Sequence, residues 1–187
     1  DLLDGNIFWD GKFHDIPNTL AGASQALQNL EVKMFNVHVS GGLVAMQKAM
    51  EHKGNSLVLG VTVLTSLNMG DAYHMFGGTP VDQIIDYMVD LAHEAQLDGI
   101  ICSPEELSRL KNTNPGELLA VTPGIRPAWA AKNDQSRFTT PAEAIRLGAD
   151  YLVIGRPIRT PPEDVGTPIQ AACLIAQEIE KAKLEVV

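Results

Sequence analysis

The chain has 187 residues, of which 45% are hydrophobic, and its formal net charge is −9 at pH 7. This length and apolar content suit one globular domain, spanning residues 1–187, with a sizeable core. The acidic balance argues against a nucleic-acid or anionic-membrane partner, because such surfaces reward clustered Lys and Arg. A small anionic substrate remains compatible with a few local cations.

The two cysteines, Cys102 and Cys173, each lie in an apolar segment. This setting predicts two small buried residues rather than a disulfide or a metal pair, and therefore a reducing compartment. No apolar run approaches the roughly 20 residues that span a bilayer, and the chain opens on an acidic segment rather than a signal sequence. We therefore expect a cytoplasmic protein.

Short apolar runs alternate with segments of helical periodicity, a pattern typical of βα units around a parallel sheet. Ser103 before Pro104 and Thr140 before Pro141 are start signals for two of the helices. The predicted strands are 6–10, 34–40, 56–64, 99–103, 119–123 and 151–155, and the predicted helices are about 19–31, 42–52, 80–96, 103–111, 140–148 and 166–183.

Strands such as LVLGVTVL and YLVIG are apolar on both faces, which predicts a sheet that is covered on both sides or closed on itself. The fold class is therefore α/β, and we interpret the six βα units as part of a (β/α)₈ TIM barrel. A complete barrel usually needs roughly 200 residues or more. We expect about two N-terminal units to lie outside this sequence.

The first predicted strand runs into WDGKFHDIPNT, which places Asp10 and Lys12 on one face and Asp15 three residues beyond. An acid–base–acid row at the end of a strand would keep the lysine charged and oriented. A surface cluster of salt bridges explains these three residues equally well when they are taken alone.

Polar residues also follow the next three strands. His38 lies on the second strand, where a structural role is favoured over a catalytic one, and the five histidines share no metal-ligand spacing, so we predict no metal site. Thr65 and Ser103 follow the third and fourth strands. Each hydroxyl either binds a ligand or caps the next helix; the cap is favoured for Ser103, and both roles are compatible.

Two segments near the C-terminus point to an anion site. VTPGIRP places Arg126 in a turn after a strand, and YLVIGRP places Gly155 and Arg156 at the end of the last strand. In barrels of this type the loops after the last two strands commonly bind phosphate, and the planar fork of arginine suits phosphate oxygens. A lone arginine at a strand end is usually solvated, so the prediction rests on two arginines at matching positions.

Taken in order, these motifs resemble the orotidine 5′-phosphate decarboxylase family. WDGKFHDIPNT is similar to the family's DxKxxDIPNT segment, and VTPGIRP with DQSRFTTPAEAIRLGADYLVIGRPI is similar to its closing third. HVSGG, TVLTS and ICS also match. The resemblance implies an enzyme without metal or cofactor that converts orotidine 5′-phosphate to uridine 5′-phosphate and CO₂, the last step of de novo UMP biosynthesis.

The resemblance also implies roles for the residues of the first motif. Lys12 would donate the proton, and Asp10 and Asp15 would complete the charged row. Asp15 and Ile16 would reach the partner subunit's site, which implies a homodimer with shared active sites. Gly11 departs from the larger apolar residue common in the family, and we expect its effect to fall on packing.

The remaining site residues implied by the resemblance contact the substrate. Thr19 would lie at the ribose, and Thr65 and Ser103 near the pyrimidine. The family also supplies an aspartate and a lysine from its first two strands, and neither can be assigned in this sequence. The phosphate would be held by Arg126, Gln135, Gly155 and Arg156, with Gln135 on a loop that closes over the substrate.

Two other functions remain as alternatives. A Mg²⁺-dependent sugar-phosphate decarboxylase or aldolase of the same superfamily would share DxKxxD, but such enzymes lack the combination of IPNT, GIRP and the later DQ. A non-catalytic barrel module is the second alternative. Its weakness is that such a module has no need for the charged row formed by Asp10, Lys12 and Asp15.

Overall fold

A computed structural model of the chain describes residues 6–113, 118–130 and 139–185. These residues fall into two compact units, which span residues 1–101 and 102–187. The first unit contains four parallel strands in sequence order, β1 (Phe8–Phe13), β2 (Met34–His38), β3 (Leu57–Val61) and β4 (Gly99–Ile101). Its helices are α1 (Pro17–Asn29), α2 (Leu43–Glu51), α3 (Met69–Met75) and α4 (Val81–Glu94), with a 3₁₀ turn at Val39–Gly41.

The second unit pairs two parallel strands, β5 (Leu119–Pro123) and β6 (Tyr151–Val153). A capping box begins one of its helices: the Thr140 hydroxyl accepts from the Glu143 N–H, and the Glu143 carboxylate accepts from the Thr140 N–H. The helices of this unit are α5 (Pro104–Thr113), α6 (Pro141–Arg146), α7 (Arg156–Arg159) and α8 (Pro168–Glu185), with a 3₁₀ turn at Ala128–Ala130.

The core of the first unit lies on both faces of β2 and β3. Four of the five residues in each strand are buried, as their continuous apolar sequence predicts for a parallel strand covered on both sides. Gly60 on β3 is closely packed in this core, because a Cβ atom there would lie 2.8 Å from Val39 Cγ2 and 2.9 Å from Leu97 Cδ1.

Strand β1 differs from β2 and β3 because it is interrupted by a bulge. Trp9 pairs with Phe35 and Phe13 pairs with Val37, so three residues of β1, 10–12, lie opposite the single residue Asn36 of β2. A bulge of this kind bends the strand and redirects its side chains. Lys12 in the bulge has φ 46°, in the left-handed region.

The α/β fold with parallel strands is confirmed, and each of the six predicted strands is present. Strand β1 extends to Phe13, beyond its predicted end at position 10, because the bulge lengthens it. Two short helices were not predicted, α3 and α7. They span seven and four residues, which is too short for a helical repeat to show in the sequence. The complete eight-unit barrel and the single domain stay predictions.

The two cysteines have different surroundings. Cys102 is buried as predicted, and burial raises the pKa of its thiol to about 12. The prediction for Cys173 was wrong, because this residue is exposed. Helix α8 buries Ala171, Ile175 and Ala182, so an apolar segment was mistaken for a fully buried one. Among the described residues, no helix is both long and apolar enough to cross a membrane.

Candidate active site

The bulge in β1 brings two of the predicted site residues together. The Lys12 Nζ atom lies 2.7 Å from both carboxylate oxygens of Asp10, so the ammonium donates to the two oxygens at once. The side chains of Lys12 and Asp10 are 43% and 48% exposed. An exposed pair contributes little to stability. The two hydrogen bonds to Asp10 instead fix the direction of the Lys12 ammonium.

The Asn36 side chain links the two halves of the bulge, and it is not among the site residues predicted from the sequence. Its Oδ1 accepts from the Lys12 N–H at 2.7 Å, and its Nδ2 donates to Asp10 Oδ1 at 2.6 Å. Asn36 is 0% exposed. An asparagine in the buried apolar strand MFNVH was the available signal, since a buried amide needs partners for its polar atoms.

These contacts keep the Asp10 carboxyl ionised. Burial by itself would raise its pKa, but the hydrogen bonds from Lys12 and Asn36 and the charge of Lys12 outweigh burial, so the pKa lies below its ordinary value. The carboxylate therefore stays negative at neutral pH and holds a positive charge beside it.

Two histidines lie next to this group. The ring centroids of His14 and His38 are 5.1 Å apart. Burial lowers the pKa of His38, and the nearby charges of His14 and Lys12 lower it further. A half-buried, neutral His38 agrees with the structural role that the sequence favoured.

Asp15 is placed differently from Asp10. Its Oδ1 accepts from the Ile16 N–H at 2.7 Å, just before α1 begins, and in the described part of the chain it forms no ion pair with Lys12. Ile16 is 66% exposed, and Thr19 in the first turn of α1 is also exposed. These three residues therefore face outward from this chain.

The two hydroxyl residues predicted near the pyrimidine are also located. Thr65 is exposed and lies after the end of β3. The Ser103 N–H donates to Glu106 Oε2 at 3.0 Å at the start of α5, and the Ser103 side chain also hydrogen-bonds to the Glu106 carboxyl group. Burial raises the pKa of Glu106 above its ordinary value.

In the second unit, the two predicted phosphate arginines line the same cleft. Arg126 and Arg156 border a cleft of about 380 Å³ together with Trp129 and Thr160. The Arg126 N–H donates to the Thr139 carbonyl at 3.0 Å, which fixes the turn that carries this side chain. Gly155 directly precedes α7, and a Cβ atom there would meet no other residue within 4 Å. Gln135 lies outside the described residues.

The sequence comparisons agree on one family. Residues 3–167 match the family described as orotidine 5′-phosphate decarboxylase / HUMPS. The chain is 43% identical over 182 residues to the orotidine 5′-phosphate decarboxylase of Geotalea uraniireducens, an alignment that covers 94% of this chain and 74% of that protein. It is 46% identical over 178 residues to the enzyme of the same name from Nitrosococcus oceani, covering 92% of this chain and 75% of that protein.

The structural comparison gives a consistent result. The crystal structure of orotidine 5′-phosphate decarboxylase from Lactobacillus acidophilus matches with a TM-score of 0.79 and 30% identity, over 93% of this chain and 75% of that one. The family match at residues 3–167 includes the strand that carries Lys12 and the strands that precede the two arginines, and the structural match covers 93% of the chain. This chain therefore belongs to the orotidine 5′-phosphate decarboxylase / HUMPS family.

Proposed function

We propose that this chain decarboxylates orotidine 5′-phosphate to uridine 5′-phosphate, the final step of UMP biosynthesis, without metal or cofactor. The observation that carries the proposal is the Lys12 ammonium, held by the Asp10 carboxylate on a bulge of β1. The similarity to enzymes of this name supports the choice of substrate.

The reaction needs a positive charge at one position. When the bond between C6 and the carboxylate breaks, CO₂ leaves and the electron pair stays on C6, where no neighbouring group accepts it. An oriented ammonium stabilises this carbanion, which is the electrostatic catalysis that enzymes use most effectively. The Lys12 Nζ atom then transfers a proton to C6, and the product is uridine 5′-phosphate.

Asp10 has two roles in this mechanism. Its negative charge attracts the Lys12 ammonium, and its two short hydrogen bonds restrict where the ammonium lies. The position of the ammonium matters because a catalytic group is effective only when it is held close to the reacting atom. We further propose that Asp15 acts in the partner subunit's site, since in its own chain it is directed to the Ile16 backbone.

The remaining residues are proposed to bind the substrate. Thr19 is assigned to the ribose, and Thr65 and Ser103 to the pyrimidine. Binding energy from a phosphate remote from C6 supports orientation and exclusion of water at the reacting centre. Arg126, Gln135, Gly155 and Arg156 are assigned to the phosphate.

We also propose that the functional form is a cytoplasmic homodimer of complete (β/α)₈ barrels in which Asp15 and Ile16 enter the partner's site. The exposure of Ile16, at 66%, supports an additional contact there, since a large apolar side chain gains by being buried.

The first test is an assay of purified protein with orotidine 5′-phosphate and EDTA, followed by the loss of the substrate's ultraviolet absorbance. We expect activity in EDTA and its loss in Lys12→Ala. Lys48→Ala removes the same charge from helix α2 and is the matched control. Activity that requires Mg²⁺ and a sugar phosphate would instead identify the related decarboxylase or aldolase.

A further inference from the structure

We propose that Asn36 is a positioning residue for the reaction, because its buried amide fixes both the Asp10 carboxylate and the backbone of Lys12 and so aims the Lys12 ammonium. The inference rests on the proposed function for its kinetic consequence. Its structural basis, the amide that bridges the bulge, is independent of that function.

The register of the strands leaves a gap in the pairing of β1 with β2 at the bulge. The three residues 10–12 of β1 lie opposite Asn36 alone, so ordinary backbone pairing between β1 and β2 is interrupted there. The Asn36 side chain replaces the missing pairing with one bond to each end of the bulge, at 2.7 Å to the Lys12 N–H and 2.6 Å to Asp10 Oδ1. Without this amide, the Lys12 N–H would lose its hydrogen-bond partner in the sheet.

The two partners of the Asn36 amide determine which end is the oxygen and which is the nitrogen. The Lys12 N–H can only donate, so the atom facing it must be Oδ1, and an ionised carboxylate can only accept, so the atom facing Asp10 must be Nδ2. Rotating the amide by half a turn would set donor against donor and acceptor against acceptor. Asn36 therefore holds one orientation, and it is 0% exposed, so water does not compete for it.

The backbone of Lys12 has an unusual conformation within the bulge. Its φ of 46° lies in the left-handed region, which residues with a Cβ atom rarely adopt unless the surrounding structure holds them there. The bond from the Lys12 N–H to Asn36 is one such contact. It stabilises the conformation in which the lysine side chain turns back towards Asp10.

The Asn36 amide also affects the charge of Asp10, because its hydrogen bond lowers the pKa of that carboxyl group. Asp10 accepts from Lys12 and from Asn36, His38 on β2 interacts electrostatically with Lys12 and with His14 after β1, and the Asp15 carboxylate accepts from the Ile16 N–H. Neither histidine donates to Asp10 among the contacts of the described residues. Asn36 is thus the neutral donor that helps keep Asp10 ionised.

Two variants test the proposal. Asn36→Asp keeps an oxygen for the Lys12 N–H but sets a second carboxylate against Asp10, so the pair shares a proton and ionises fully only at higher pH. We expect the acidic limb of the kcat–pH profile to move up by about one unit or more. Asn36→Ala removes both bonds, and we expect kcat to fall about tenfold or more while KM changes less than about threefold.

The matched control is Ser24→Ala. Ser24 is also 0% exposed, and its hydroxyl donates to the Ala49 carbonyl at 2.6 Å, away from the bulge. We expect Ser24→Ala to lower the melting temperature and to leave kcat and the pH profile unchanged. If Asn36 had only a structural role, its variants would show the same result. That pattern in both Asn36 variants would overturn the proposal.

A second readout keeps the proposal separate from the proposed function. The pKa of Asp10 is measured by carboxyl carbon NMR in the parent chain and in Asn36→Ala, and we expect it to rise in the variant because a donor is lost. A parent chain without decarboxylase activity would refute the proposed function and leave this NMR result to decide the role of Asn36. An active parent with an unchanged Asp10 pKa and unchanged kinetics in the variant would refute the role of Asn36 alone.

Discussion

At the scale of single residues, the pair formed by Asp10 and Lys12 has a small effect on stability and a large effect on chemistry. The two side chains are nearly half exposed, and exposed ion pairs contribute about 1 kcal/mol or less. The same carboxylate is needed to hold a charged ammonium in one place. A variant of Asp10 should therefore lose much of its activity while its free energy of unfolding changes little.

We expect Asp10→Asn to lower kcat by about 100-fold or more, because the amide cannot hold the Lys12 ammonium with two charge-assisted hydrogen bonds. The free energy of unfolding should change by about 1 kcal/mol or less. Steady-state kinetics and urea titration check the two quantities. Glu51→Gln breaks the exposed pair with Lys48 and is the control. Equal kcat in Asp10→Asn and the parent chain would contradict the assignment.

Arg156 should affect substrate binding without taking part in proton transfer. We expect Arg156→Ala to lower kcat/KM for orotidine 5′-phosphate by about 100-fold, because charge-assisted bonds to phosphate contribute roughly 1.5–3 kcal/mol or more each. Arg146→Ala removes an arginine that pairs with Glu185, outside the cleft that Arg156 lines, and serves as the control. An unchanged kcat/KM in Arg156→Ala would show that the phosphate binds elsewhere.

At the scale of elements, β3 packs so closely that it has no space for a side chain at Gly60. Val39 and Leu97, whose atoms would contact the new Cβ at 2.8 and 2.9 Å, are both buried and have little room to move. We expect Gly60→Ala to reduce the free energy of unfolding by about 1–3 kcal/mol. Denaturant titration measures the change.

Gly22 provides the matched substitution. It lies in α1, it is exposed, and a Cβ atom there would meet nothing within 4 Å. Alanine favours a helix over glycine, so Gly22→Ala should stabilise the chain by up to about 1 kcal/mol. If both substitutions had the same sign, close packing at Gly60 would not be the cause of its effect.

The start of α5 should make stability depend on pH. Burial raises the folded-state pKa of Glu106 above its ordinary value of 4.5, so the stabilisation from its protonated form is complete below that value and is lost as pH rises through the folded pKa. Glu106→Gln removes this titration. The parent chain should therefore lose stability relative to Glu106→Gln between pH 4.5 and neutrality.

Thermal unfolding of both proteins across this pH range measures the difference. Glu105→Gln, at the exposed neighbouring position in the same turn, removes the same charge and is the control. A constant difference between the parent chain and Glu106→Gln would rule out a raised pKa for Glu106.

At the scale of the whole molecule, the proposed homodimer makes a quantitative prediction. If Lys12 acts in its own subunit and Asp15 in the partner's site, a hybrid of Lys12→Ala and Asp15→Ala subunits has one intact site and one doubly altered site. Random mixing makes about half of the dimers hybrids, so about one quarter of the parent activity should return.

The two inactive variants are mixed, exchanged through mild denaturant and assayed with orotidine 5′-phosphate. Mixing each variant with itself is the control and should restore nothing. Absence of recovery, with hybrids demonstrated by mass spectrometry, would mean that Lys12 and Asp15 act within one subunit.

The sequence alone determined the features that depend on neighbours along the chain. Apolar runs predicted the six strands because a strand buried on both faces needs continuous apolar sequence. Two-residue spacing predicted that Asp10 and Lys12 lie together, and the side chains do meet at 2.7 Å, although a bulge rather than regular strand alternation brings them there. The cap at Thr140 followed in the same way, since its partner Glu143 is three residues away. Each of these features involves residues that lie close together along the chain.

Tertiary structure decided the features that depend on contacts distant in sequence. Asn36 meets Lys12 across 24 positions, and nothing in MFNVH shows that its amide faces a bulge in another strand. The outward direction of Cys173 depends on which side of α8 packs. Arg126 and Arg156 carried a local signal each, but the fold brings them to one cleft. The physical reason is that local pattern fixes which residues are buried, whereas packing fixes which buried or charged groups meet.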